Sequence, residues 1–181
     1  MLIIGGGKSV NENKEEINNL KNQIFTIGCN YAGIDFETDV ICCLDFDFIK
    51  SNLESLKKIN KPIISRDWGE DFKNRFCSDL DVIWVRNDVI NQYKLTGDFA
   101  VAIAKLLKEK FNYEIYSVGL DGGKGHYDGY KGGQDNVEYP ENKEANRKKK
   151  IKQEEREDFA VMNENKEEII KWLKENLSKT I

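Results

Sequence analysis

Residues 95–121 read LTGDFAVAIAKLLKEKFNYEIYSVGLD, and the fold class turns on them. Ala100, Ala102, Ile103, Ala104, Leu106 and Leu107 give a helix an apolar side whose small residues let it lie close on a sheet. Thr96 suits an N-cap, Gly97 leaves the first turn bare, and Asp98 suits the positive end of the helix dipole. Ile115, Tyr116, Val118 and Leu120 then read as a buried strand ending on Gly119-Leu120-Asp121. A bare helix start and a Gly-Asp strand end are where an α/β sheet holds phosphates or hydroxyls. The same pattern also suits a plain βαβ crossover without a ligand.

Toward the N-terminus, Leu2 to Ile4 reads as a short strand entering Gly5-Gly6-Gly7-Lys8-Ser9, with a helix from about Asn13 to Asn22 behind it. This setting is either phosphate-loop-like or a bare surface turn; it matches neither a Walker A loop nor GxGxxG, since position 10 is Val. Ile24 to Gly28 reads as a second strand running into Cys29-Asn30-Tyr31-Ala32. Val40 to Leu44 is a third, continuously apolar as in a parallel sheet buried on both faces. It ends at Asp45-Phe46-Asp47, where Asp45 is a helix cap or a ribose contact; a metal would want a third ligand that nothing here marks. Lys61 to Ser65 and Val82 to Val85 complete the strand set, with a weaker, aromatic-rich stretch from Arg66 to Ser78 read as a short helix or flap. About six strands alternating with helices predict a Rossmann-like α/β fold with a mainly parallel sheet.

Composition narrows the function classes. A chain of 181 residues suits one α/β domain with a proper core. Its formal net charge of -4 argues against general nucleic-acid binding, which wants a basic surplus. No apolar run approaches membrane-spanning length, and MLIIGGGKSV has neither an h-region nor a cleavage site. Cys29, Cys42, Cys43 and Cys77 lack CxxC spacing, so buried free thiols in a reducing cytoplasm are expected.

Beyond Asp121 the character changes. Residues 122–133, GGKGHYDGYKGG, hold six glycines, Tyr127, Tyr130 and the chain's single histidine, His126. Such a loop after a strand end can close over a ligand and present hydroxyls and an imidazole to it. Histidine is the side chain whose unperturbed pKa suits base catalysis near neutrality, and the alternative for His126 is a solvent-exposed loop position. From Glu141 to about Met162 the sequence reads as a charged, solvated helix. A final amphipathic helix from Glu167 to Leu177 then sets Ile169, Ile170, Trp172, Leu173 and Leu177 against the sheet or against another chain as a homo-oligomer contact. The expected organisation is a domain over 1–140 and a C-terminal helical extension over 141–181.

The order IIGGGKSV, FTIGCNYA, DVICCLD, LTGDFAVAIA…YEIYSVGLD and a loop with His-Tyr resembles the small Rossmann-like bacterial sialyltransferases of the lipooligosaccharide type. It is also similar to the motility-associated glycosyltransferase-like proteins and their short phage-encoded relatives, over about Met1 to Tyr130. The resemblance implies nucleotide contacts from Gly5, Gly6, Gly7, Ser9 and Asn30, a place near the donor for Thr96 and Gly97, and ribose or base contacts from Gly119 and Asp121. It implies His126 as general base with Tyr127 or Tyr130 beside it. Lys8 stands where that family more often has proline. The implied activity is glycosyl transfer from a CMP- or UDP-sugar to a hydroxyl acceptor, without a metal or a cofactor other than the donor. The alternative is a non-catalytic nucleotide-binding or nucleotide-sequestering protein.

Overall fold

A computed structural model describes residues 1–121, 125–131 and 165–177. Six short strands form one sheet: β1 (Leu2–Ile4), β2 (Thr26–Cys29), β3 (Val40–Cys43), β4 (Ile63–Arg66), β5 (Val82–Val85) and β6 (Tyr116–Val118). Every neighbouring pair is parallel, in the order β5-β4-β3-β2-β1-β6. Ile3 lies in register between Ile27 and Ser117.

The helices are α1 (Ser9–Leu20), α2 (Tyr31–Asp35), α3 (Phe46–Ser51), α4 (Leu53–Ile59), α5 (Glu70–Phe76), α6 (Asn87–Ile90), α7 (Thr96–Phe111) and α8 (Lys166–Leu177). From β1 to β5 the chain always steps the same way across the sheet, and right-handed crossovers therefore put α1–α5 on one face. Val10 and Ile17 of α1 pack there with Leu2 and Ile4, while Phe48, Leu56 and Phe72 pack with Ile41, Cys43 and Ile63. The connection from β5 to β6 steps back past β1, which sends α7 to the other face. Phe99, Ala100, Ile103, Ala104 and Leu107 of α7 meet Ile3, Ile27 and Cys42 on that side. Of the residues expected on its apolar side, Ala100 and Ala104 have no exposed surface, whereas Ala102 is half-buried and Leu106 is 43 % exposed.

Ile169, Leu173 and Leu177 of α8 are buried in the same layer, so the apolar face of this helix packs on the chain's own sheet. The charged segment from Glu141 to Met162 lies outside the described residues. No helix among the described residues is long and apolar enough to cross a membrane.

Two helix starts differ from the sequence expectation. Helix α1 begins at Ser9, four residues before Asn13, because the Asp121 carboxylate accepts the Ser9 N–H at 2.7 Å and supports an earlier first turn. Leu95, not Thr96, occupies the cap position of α7. Thr96 is already helical and buried, and its hydroxyl accepts the Leu44 N–H at 3.4 Å instead of capping its own helix.

Candidate functional site

The strand order reverses between β1 and β6, and in open parallel sheets the crevice past the carboxyl ends at such a point is where ligands bind. Here the two ends are tied together. Gly5 donates to the Val118 carbonyl and Gly7 to the Gly119 carbonyl, both at 2.8 Å. Ser9 donates through its hydroxyl to Asp121, and its oxygen accepts the Gly119 N–H at 2.9 Å. A side chain on Gly5 would overlap the Gly119 carbonyl, and Gly119 itself holds φ at +72°, so both positions need glycine.

This zipper alters the phosphate-loop expectation. The N–H groups of Gly5, Gly7 and Ser9 are spent on β6 and Asp121. Among the triple glycine, Gly6 alone keeps an N–H without an acceptor among the described residues. The start of α1 already faces the Asp121 carboxylate, whose negative charge complements the helix dipole. A phosphate placed in this crevice would therefore meet one open helix start rather than two.

That start belongs to α7. A cleft of about 250 Å³ lies between Gly5-Gly6-Gly7, Asn30, Asp45, the Lys94–Gly97 turn, the Gly119–Asp121 turn and the loop bearing His126. Thr96 and Gly97 bring the first turn of a sixteen-residue helix to its wall, and Lys94 adds a cation beside them. Lys94 carried no signal in the sequence beyond standing two residues before Thr96. Cys29 also reaches the wall, but burial pushes its thiol up to about 12, so it stays protonated and un-nucleophilic.

Asn30 holds the centre. Its backbone sits in the left-handed region at φ +50°, with the N–H donated to the Cys42 carbonyl at 3.0 Å. Its amide donates to Asp45 at 3.1 Å, which leaves Oδ1 buried without a partner. An orphaned buried acceptor costs about 1–3 kcal/mol, a cost that a ligand's hydroxyl or N–H would relieve. Asp45 occupies the position before α3 without capping it; its carboxylate engages Asn30 at the cleft instead. Among the described residues no group of three or more potential ligands is placed to hold a metal ion.

Residues 125–131 fold back over the glycine turn. Tyr127 donates its N–H to the Gly6 carbonyl at 3.0 Å, and Asp128 donates its own to the Asn11 side chain at 2.9 Å. His126 lies at the cleft wall with Nδ1 3.1 Å from the Gly6 carbonyl. A carbonyl only accepts, so Nδ1 carries the hydrogen in this contact, and in the neutral ring Nε2 is the acceptor. The ring stacks on Tyr130 with centroids 4.2 Å apart, which fixes its plane.

Tyr127 departs from expectation. Its backbone anchors turn the side chain into the crevice between α1 and α2, where it is 4 % exposed, lies edge-on to Phe36 and donates to Asp35 at 2.5 Å. Burial, reinforced by that carboxylate, pushes its hydroxyl well above the usual tyrosine range. It is a packing residue. Ser9 likewise serves as a latch to Asp121. The other expected residues, Gly5, Gly6, Gly7, Asn30, Asp45, Thr96, Gly97, Gly119, Asp121, His126 and Tyr130, all line the one cleft.

The fold and cleft define a Rossmann-like α/β protein with a polar crevice at its topological switch point. No protein-family model, curated protein or solved structure matches this chain.

Proposed function

We propose that the chain is a glycosyltransferase-like enzyme that takes a nucleotide-linked sugar, a CMP- or UDP-sugar, and passes the sugar to a hydroxyl acceptor without a metal. The observation that carries this reading is the buried, unpartnered Oδ1 of Asn30, in a cleft that an open helix start and Lys94 also line. In this reading Asn30 accepts from a ribose hydroxyl or a base N–H, while the α7 start and Lys94 meet the phosphate. His126 Nε2 takes the proton of the acceptor hydroxyl as its oxygen attacks the anomeric carbon. The bond from that carbon to the phosphate oxygen breaks, and its electron pair leaves with the phosphate. Of the two candidate tyrosines, Tyr130, at the cleft wall, donates a hydrogen bond to the departing oxygen. The resemblance of the glycine turn, Asn30, Thr96-Gly97 and Gly119-x-Asp121 to the lipooligosaccharide-type sialyltransferases and their phage-encoded relatives supports the same reading. Four buried free cysteines support a reducing, cytoplasmic setting.

The cleft volume of about 250 Å³ favours a second reading, a protein that binds or sequesters a nucleotide without turnover. Ligand pockets commonly run to roughly 300–1,000 Å³. Calorimetry with CMP, UDP and their sugar conjugates, followed by a donor-turnover assay, tests both. Binding with turnover supports the transferase, binding without turnover supports sequestration, and no binding by any nucleotide overturns the two together.

A further inference from the structure

The carboxyl end of β4 runs Ser65-Arg66-Asp67-Trp68-Gly69. Arg66 is half-buried, and its Nε–H is buried without a partner among the described residues; so is the Nε1–H of Trp68. The guanidinium lies over the indole, 5.3 Å from the ring centroid, so both donors belong to one stacked unit.

The carboxylate closest in sequence is already engaged. Asp67 accepts the Gly69 N–H at 2.8 Å and the Lys73 ammonium at 3.0 Å. The arginine just past the adjacent strand, Arg86, is paired with Asp88 at 2.6 Å, a pairing that Arg66 does not have among the described residues. Buried donors left open cost about 1–3 kcal/mol each, and folding gains nothing from leaving two of them together.

Their place in the sheet is informative. Ser65 is in register with Cys43, which sets Arg66 beside Leu44 and one strand from Asp45 at the cleft wall. Phe46, the residue after Asp45, stands edge-on to Trp68 at 5.6 Å and remains 36 % exposed. Two buried N–H donors without partners, a positive charge and an exposed aromatic edge suit an anionic oxygen group on a carbon skeleton.

We propose that Arg66 and Trp68 form a subsite for the carboxylate or phosphate group of a second, anionic substrate, beside the nucleotide cleft. The role of acceptor subsite rests on the nucleotide-sugar reading; the anion binding does not.

The test is a titration of the nitrogen-15-labelled protein, read at the Arg66 Nε–H and Trp68 Nε1–H resonances. Methyl glucuronide supplies a sugar carboxylate, glucose 6-phosphate a sugar phosphate, and methyl glucoside a neutral control. Movement of both resonances by either anionic sugar, and by neither at equal concentration of the neutral one, is expected. Whichever anion moves them further identifies the group. R66Q removes the Trp68 shift, and R66K, which keeps the charge but loses the fork, weakens binding about tenfold. W68F keeps the stack and answers the question at Arg66 if R66Q does not fold. No movement by either anion at tens of millimolar, equal movement by the neutral sugar, or a full Trp68 shift in folded R66Q overturns the proposal. Adding CMP or UDP separates the two readings. Nucleotide binding without an anion shift defeats the subsite alone, and an anion shift without nucleotide binding defeats both nucleotide readings and leaves the anion site standing.

Discussion

Where β2 and β3 begin, Asp39 accepts hydrogen bonds from the Thr26 N–H at 2.8 Å and the Thr26 hydroxyl at 2.9 Å, and pairs with Lys166 at 3.0 Å. The Asp39 N–H returns to the Thr26 oxygen at 2.9 Å, and the Lys166 ammonium also reaches the Lys21 carbonyl at 3.2 Å. Where the strands end, Asn30 Oδ1, Arg66 Nε and Trp68 Nε1 are buried without partners among the described residues. The amino edge of the sheet thus closes its polar groups on one another and ties α8 to the domain. The carboxyl edge closes Ser9 on Asp121 and Gly119 but leaves these other acceptors and donors unpaired. In the proposed reading one edge serves folding and the other binding, because a closed network has no capacity left for a ligand and an unpaired group stabilises nothing until a ligand arrives.

The largest effect expected at the carboxyl edge is that of His126→Ala. Transfer from the nucleotide sugar should fall about 10²–10⁴-fold while nucleotide affinity stays within a few-fold, read by turnover assay and calorimetry. Undiminished turnover removes His126 as the base.

At the amino edge, Asp39→Ala strands the Thr26 donors and a Lys166 whose side chain is 19 % exposed. Urea denaturation should show a loss of about 3 kcal/mol, with nucleotide affinity of the folded protein unchanged. An intact denaturation midpoint, or a parallel loss of affinity, would break the contrast between the edges.

Asn30→Gly sharpens it from the other side. Glycine accepts φ +50° without strain and deletes the orphaned acceptor. Affinity for the nucleotide should drop about tenfold, about 1.4 kcal/mol. Stability should not fall and should rise by about 1 kcal/mol, because the unpaired acceptor and the positive-φ cost go together.

The smallest expected effect is an absence of reaction. Burial lifts the Cys77 thiol to about 11 and that of Cys29 to about 12, and raises those of Cys42 and Cys43 well above the usual range. At pH 8 the thiolate fractions of Cys77 and Cys29 are thus about 10⁻³ and 10⁻⁴. Iodoacetamide should label none of the four in the native protein and all four in urea, by mass spectrometry. Rapid native labelling of Cys29 would mean that the cleft opens wider than its walls imply.

Much of this was legible from residues 95–121. The small apolar residues of α7 and the Gly-x-Asp after β6 predicted a helix laid on a sheet with a crevice at its end, and that is where the cleft lies. The triple glycine, Asn30, Asp45 and His126 were legible as turn and loop residues of unusual chemistry. Their mutual position was not. The Ser9–Asp121 latch joins residues 112 apart in sequence, and it converts the first helix start from an anion site into a closed joint. Nor does the spacing of Tyr127 and Tyr130 tell which one faces the cleft; the anchors at Gly6 and Asn11 decide that.

Periodicity, glycine placement and the alternation of strands with helices determined the α/β class and the parallel sheet, because those signals act over a few neighbouring residues. Which buried polar groups find partners was decided only when the strands met. A hydrogen bond needs two groups within about 3 Å at the right angle, and no local pattern specifies that meeting. The open acceptor on Asn30 and the open donors on Arg66 and Trp68 are properties of the assembled sheet edge.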